Sequence, residues 1–307
     1  MLLHQSSGKW RLGLGLSLLT VFLWGILPIA LKVTLQGLDP YTVTWFRFFM
    51  SFGLLGVYLA TRKQLPSGEK LRSLPLSLLV IASIFLALNY ILYLIGLAYT
   101  TPANAQVLIQ LAPVLMGLGG IYIFQERYTL MQWTGLGVLT LGFALFFNEQ
   151  LKTLINAQGT YLFGSALIII AAIVWAVYGL AQKQLLQQLT SANVMLLIYG
   201  ICSVLFAPFA QPQSILSLTP LQFSMLIFCG LNTIIAYGAF AESLEHWEAS
   251  RVSAVISSAP IVTLISVWIV AFLFPTWVVT NNLTILGVLG ALLVVVGSMT
   301  IALGKKH

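Results

Sequence analysis

Residues Leu97–Met116, LAYTTPANAQVLIQLAPVLM, return in outline at Leu244–Thr263, LEHWEASRVSAVISSAPIVT. At a constant offset Leu97 meets Leu244, Gln106 meets Ser253, Pro113 meets Pro260 and Val114 meets Ile261. Each copy closes one apolar helix, turns through a few small or polar residues and opens another helix with a proline near its middle. Proline there removes a backbone hydrogen bond and clashes with the carbonyl four residues earlier, so the helix must kink. The freed backbone groups are tolerated against other helices or a watery hollow, not against lipid. Matched broken helices in corresponding halves of a chain mark a transport site near the bilayer midplane. Pro113 and Pro260, together with Pro28 in the first apolar run, are the expected kinks.

Composition agrees with a membrane setting. Charged residues are 7% of the 307 and hydrophobic ones 59%, with a mean hydropathy of +0.99. A soluble domain carries about a quarter charged residues. The length must therefore be divided into spans of about twenty residues. Cys202 and Cys229 sit in apolar runs without CxxC or zinc spacing, so neither a disulfide framework nor a metal site is expected. A net charge of +7 would suggest nucleic acid in a soluble protein; here the cations cluster at helix ends and orient the chain instead. Lys9 and Arg11 before Leu12–Leu31 imitate a secretory signal, but the run is too long and no A-x-A site follows, so it is expected to stay as the first span.

Ten apolar spans can be read: 12–33, 42–62, 76–98, 103–124 and 129–147 in a first repeat (1–148), then 160–182, 191–210, 221–243, 250–273 and 283–303 in a second (160–307). A polar connector, 149–159, divides them. Trp24 and Lys32 correspond to Trp175 and Lys183, Tyr90 to Tyr237, and Gly135 and Gly142 to Gly290 and Gly297. Five spans per unit is an odd number, so the second unit enters the membrane upside down. The expected fold is all-α: a polytopic membrane protein of ten transmembrane helices, two inverted five-helix repeats around a central cavity. Lys9, Arg11, Arg62, Lys63, Lys70, Arg72, Arg127, Lys183, Arg251, Lys305 and Lys306 fall on one side. Only Lys32 and Lys152 fall on the other, which places both termini in the cytoplasm of a bacterial-type inner membrane.

Particular motifs narrow the family. Trp24-Gly25 with Pro28, Arg47-Phe48 in span two, the LAYTTPANAQ…LAPV turn and Glu126 closing span four resemble the EamA family of the drug/metabolite transporter superfamily. EASRVSA…SAPIV repeats the pattern in the second half, and the resemblance covers nearly the whole chain. It implies an exporter or facilitator of amino acids or other small metabolites by alternating access. It also implies a cavity lined by the third, fourth, eighth and ninth spans and flanked by the first and sixth. One departure stands out: Glu126 lies over Leu273, where the family often has a glutamate closing the ninth span.

Ionisable groups in lipid are costly and usually functional, yet no acid lies mid-span. A carboxylate-based proton cycle has weak support. Asn89, Tyr90 and Tyr93 share one face of span three, and Gln106 and Gln110 sit four apart in span four. Their second-half counterparts are Tyr237, Ser253 and Ser257. These are the expected solute-binding groups, although amides and hydroxyls also join helix to helix. Trp24, Trp175 and Tyr178 offer aromatic faces for apolar or cationic solutes, or for packing. Arg47 is either an anchor for an anionic group or a structural cation snorkelling outward. Lys32 and Lys183 complement their own helix C-termini, and His246 falls in a solvated turn. The glycines of spans five and ten form small-residue faces, structural or at a dimer contact.

A carrier is the first reading, with membrane lipids and a small solute as partners, no nucleic acid, no cofactor, and a monomer or weak homodimer. A flippase for lipid-linked or drug-like solutes shares the fold. An enzyme would need converging acids or a Ser-His set, and His4, His246 and His307 all fall outside the expected spans.

Overall fold

Capping residues set where the helices begin. Asp39 accepts hydrogen bonds from the Tyr41 and Thr42 amides at 2.9 and 3.0 Å, with Pro40 in the first helical position. Thr190 caps the helix at Ser191, and Thr219 forms a capping box with Gln222 ahead of Pro220. An oxygen side chain there satisfies amides that have no partner inside the helix, and proline is pre-set for the first turn. The computed structural model describes residues 6–68, 71, 74–126, 128–156, 159–273 and 284–303.

The first half comprises α1 (Trp10–Thr34), α2 (Pro40–Thr61), α3 (Leu76–Ala98), α4a (Pro102–Leu108), α4b (Leu111–Ile123) and α5 (Leu130–Asn156). The second comprises α6 (Thr160–Leu185), α7 (Ser191–Phe206), α8 (Pro220–His246), α9a (Ala249–Ile256), α9b (Ala259–Leu273) and α10 (Ile285–Leu303). Eight described segments are long and apolar enough to cross a membrane, taking each broken pair as one, and α5 and α10 hold shorter apolar stretches, Leu130–Leu145 and Ile285–Ile301. The fold is thus a polytopic helical membrane bundle. Phe22, Phe52, Leu118 and Trp268 are exposed along its sides, the apolar surface that lipid requires. Of the residues read above, Lys70, Arg72, Arg127, Lys305, Lys306, His4, His307 and the Lys152 side chain lie outside the described residues.

Helix partners exchange in pairs under the five-helix repeat. α1 packs on α8 as α6 packs on α3, while α2 packs on α7 and α5 on α10. Bare backbone makes the closest crossings possible: a Cβ on Gly142 would stand 2.9 Å from the Gly290 carbonyl, and one on Gly96 2.7 Å from the Gly164 carbonyl. The glycines read as a packing or dimer face are therefore buried between α5 and α10 of one chain.

Three boundaries differ from expectation. Helix α5 runs to Asn156, through much of the stretch read as connector. α8 continues to His246, so that histidine lies in a last helical turn, 7% exposed, rather than in a solvated turn. Its Nδ1 meets Ser7 Oγ at 2.8 Å and its Nε2 meets Glu242 Oε1 at 3.2 Å. Between α7 and α8 the chain forms two 3-10 turns, Ala207–Phe209 and Pro212–Ser217. The bundle end holding Ser7 and His246 is called the near end below, and that holding Lys32 and Asp39 the far end.

Candidate functional site

The two broken helices are interrupted at Ile109-Gln110 and at Ser257-Ser258, a few residues before each proline. Pro113 has no N–H for the Ile109 carbonyl, which instead accepts from Ala112 at 2.9 Å, a tighter turn. In the second copy a similar tight turn lies one residue earlier, where the Ser258 amide donates to the Val255 carbonyl at 3.0 Å. Pro28 behaves otherwise: α1 passes through it as one helix. The expected kinks are thus breaks in the fourth and ninth spans, and no interruption in the first.

Between these breaks lies a cavity of about 80 Å³. Ile109, Gln110, Ala112 and Pro113 border it from one break, Ile256 and Ala259 from the other. Trp24, Pro28, Arg47, Asn89, Tyr90, Tyr93, Gln106, Trp175 and Tyr237 complete the polar and aromatic part of its wall. Helices α1, α2, α3, α4, α6, α8 and α9 all contribute.

The aromatic groups interlock. Trp24 stands edge-on to Trp175 at 5.6 Å between centroids and 4.9 Å from Tyr237, while Tyr237 lies 5.4 Å from Tyr90. Phe240 backs the two tryptophans at 5.5 and 5.1 Å. Such offset and tilted pairs are favoured by ring quadrupoles. Asn89 donates to the Ala171 carbonyl at 2.9 Å and so ties α3 to α6. Gln110 donates to the Gln106 carbonyl at 3.1 Å, one turn back across the break. Arg47 borders the cavity rather than snorkelling: its Nε donates to Thr233 Oγ1 at 2.9 Å, and its guanidinium lies 4.4 Å over the Tyr90 ring.

Three expected site residues stand elsewhere. Tyr178 is wholly buried behind Trp175 and Tyr237, its hydroxyl on the Met195 sulfur at 3.6 Å. Ser253 and Ser257 donate into their own helix, to the Ser250 and Ser253 carbonyls at 2.9 Å each. Both face α4b and α5 across a much smaller void. Pro260 is buried but does not border the cavity. Trp268 is 68% exposed.

The near end closes beneath the cavity. Glu126, just past α4b, accepts from Lys183 Nζ at 2.8 Å and from the Ala249 and Ser250 amides at 2.9 and 3.0 Å. One carboxylate thus joins α4b, α6 and α9a. Burial pushes the Glu126 carboxyl up, but the Lys183 ammonium and the Ser250 bonds outweigh it and hold the group below its ordinary value. Lys183 is 2% exposed, so it does not snorkel. Tyr128 beside this cluster is pushed up to about 12, chiefly by burial. At the far end Lys32 donates to the Leu97, Ala98 and Thr100 carbonyls at 2.8, 3.1 and 2.8 Å, capping α3 rather than its own helix. The Lys183–Glu126 pairing was missed in the sequence because each residue was read alone; an acid and a base at the same face, both just at span ends, was the available signal.

The profile of the EamA-like transporter family matches residues 11–148 and 162–303. The chain belongs to that family. As an EamA-like protein it is a membrane transporter, not an enzyme. It is 38% identical to the uncharacterized inner membrane transporter YhbE of Escherichia coli K12 over 97% of this chain and 94% of the relative. An uncharacterized transporter of Haemophilus influenzae is 36% identical over 96% of each chain. A probable amino-acid metabolite efflux pump of Escherichia coli K12 is 25% identical over 92% of each. One crystal structure of a protein shares the EamA-like chain's fold, with a TM-score of 0.69 at 16% identity, covering 95% of this chain and 97% of the other.

Proposed function

We propose that this EamA-like protein carries a small organic metabolite, such as an amino acid, across the inner membrane by alternating access through the cavity between the broken helices. The observation that carries the reading is that both breaks border one cavity, the placement expected of a carrier's solute site. Trp24, Asn89, Tyr90, Tyr93, Gln106, Gln110, Trp175 and Tyr237 are the proposed contacts, with Pro113 as a hinge at the cavity wall and Pro260 as its buried partner. The relative named as an amino-acid metabolite efflux pump supports the solute class. Relatives named for the inner membrane support the compartment, and the lysine and arginine bias supports cytoplasmic termini. The near end is then the cytoplasmic end, shut in this state by Glu126 and Lys183. With its glycine faces used within one chain, the protein works as a monomer.

Purified protein in liposomes, loaded in turn with amino acids, amines and organic acids, tests this. Accelerated, saturable flux of one class, lost on Gln110→Leu with Trp24→Ala while folding is kept, is the expected result. Equal leakage with and without protein for every class sinks it.

A further inference from the structure

Arg47 is a buried charge with no counter-charge among the described residues. It is 2% exposed and held on two sides, by Thr233 at Nε and by the Tyr90 ring. Among the described residues its terminal nitrogens have no hydrogen-bond partner and it forms no ion pair. The pairs of Lys183, His246 and Arg251 all lie at the near end. No Asp or Glu borders the cavity beside it. A buried guanidinium left uncompensated costs several kcal/mol, on the order of the desolvation of one ion, so the fold leaves that charge for something else to neutralise. Three further buried groups at the cavity lack partners: the Trp24 Nε1 donor, the Tyr90 hydroxyl and the Gln110 Oε1 acceptor.

We propose that the preferred solute is an apolar organic acid of net charge −1, a reading that rests on the transport function above and refines its solute class. The carboxylate takes the two terminal nitrogens of Arg47, whose planar fork suits two parallel N–H···O bonds. A neighbouring hydroxyl donates to Gln110, and the hydrocarbon body lies against the Trp24, Trp175 and Tyr237 rings. An amino acid brings the same carboxylate but adds an ammonium. For that group the wall offers ring faces and the neutral oxygens of three amides and three tyrosines but no carboxylate, so its charge gains no counter-ion for the hydration it loses. A cationic amine of the same skeleton meets Arg47 with like charge. On one carbon skeleton the order is hydroxy acid, then amino acid, then amino alcohol.

The test uses the full-length protein in liposomes at neutral pH with 2-hydroxy-4-methylpentanoate, leucine and leucinol, which share shape and differ in charge. The hydroxy acid is expected to saturate at a concentration at least tenfold below leucine, with leucinol neither carried nor competing. Arg47→Gln is expected to lose at least tenfold in the hydroxy acid's apparent affinity, and Arg47→Lys to lose less. Leucine matching or beating the hydroxy acid, leucinol competing as well as either, or Arg47→Gln keeping the wild-type order would each overturn the proposal. Should Arg47→Gln fail to fold, the three-solute order in the wild-type protein decides alone. If an unrelated neutral solute is carried and none of the three is, this inference falls and the transport reading stands. If no solute of any class moves, the transport reading itself has failed.

Discussion

The two ends of the bundle use the same lysine differently. Lys183 and Lys32 correspond under the repeat, yet Lys183 is sealed against Glu126 while Lys32 lies across the carbonyls that end α3. The cause is legible in two other matched positions. Ala249 and Ser250 open α9a with free amides that need an acceptor, and Glu126 supplies it. Their counterparts opening α4a are Pro102 and Ala103, and Pro102 has no N–H to offer. In Glu126's place stands Leu273, 59% exposed. Where the helix start needs no acceptor the carboxylate is gone, and the lysine turns to carbonyls instead. A duplicated unit has thus become a charge-paired lock at one end and a single-charge clasp at the other.

Removing the acid from the lock has the largest expected effect. Glu126→Leu leaves Lys183 buried alone with two unsatisfied amides, a loss of about 3–5 kcal/mol, read as a fall in the thermal unfolding midpoint in detergent. Glu126→Leu with Lys183→Met recovers most of it, because the pair's value lies in mutual compensation. A double variant as unstable as the single one breaks the account.

At the clasp the loss is smaller. Lys32→Met gives up hydrogen bonds to carbonyls that keep some access to water, about 1–2 kcal/mol after discounting for exposure. Equal losses at Lys32 and Glu126 would erase the asymmetry between the ends.

Acid offers a third distinction. Because Glu126 is held below its ordinary value of 4.5 when folded, the unfolded chain takes up its proton first as pH falls. Its stabilisation is therefore complete above about pH 4.5 and is lost as pH drops through the folded value. Unfolding midpoints measured between pH 7 and pH 3.5 should show a fall that Glu126→Gln flattens and Lys32→Met does not.

The smallest effect belongs to Leu273→Glu. Restoring the missing acid by itself should change stability by no more than about 0.5 kcal/mol, since α4a presents no proline amide for it to cap. A clear gain would show that the far end lacked only the acid.

Much of the cavity could be read from residue spacing, and the exceptions share a cause. Asn89, Tyr90, Tyr93, Gln106 and Gln110 lie on continuous helical faces or just across one break, and all border the cavity. Ser253 and Ser257 were placed by analogy with the first half. The ninth span breaks one residue further from its helix start than that analogy needs, and those hydroxyls lie toward α4b. Tyr178 follows Trp175 by three residues, close enough to share its side of α6, but a ring wholly behind another cannot touch a solute. Glu126 and Lys183 come from helices far apart in the chain, and only their shared face at span ends hints at the meeting.

Composition and periodicity by themselves determined that the chain is a polytopic helical membrane protein, and duplication singled out two proline-bearing helices in corresponding places. Those features are local or repeat along the chain, and lipid penalises any other arrangement of the backbone. Only the tertiary structure decided which polar groups meet: that Arg47 turns to the hollow with no acid beside it among the described residues, and that one acid joins three helices at the near end. Burial and charge compensation depend on neighbours from distant segments, and they exist only once the two units are packed together.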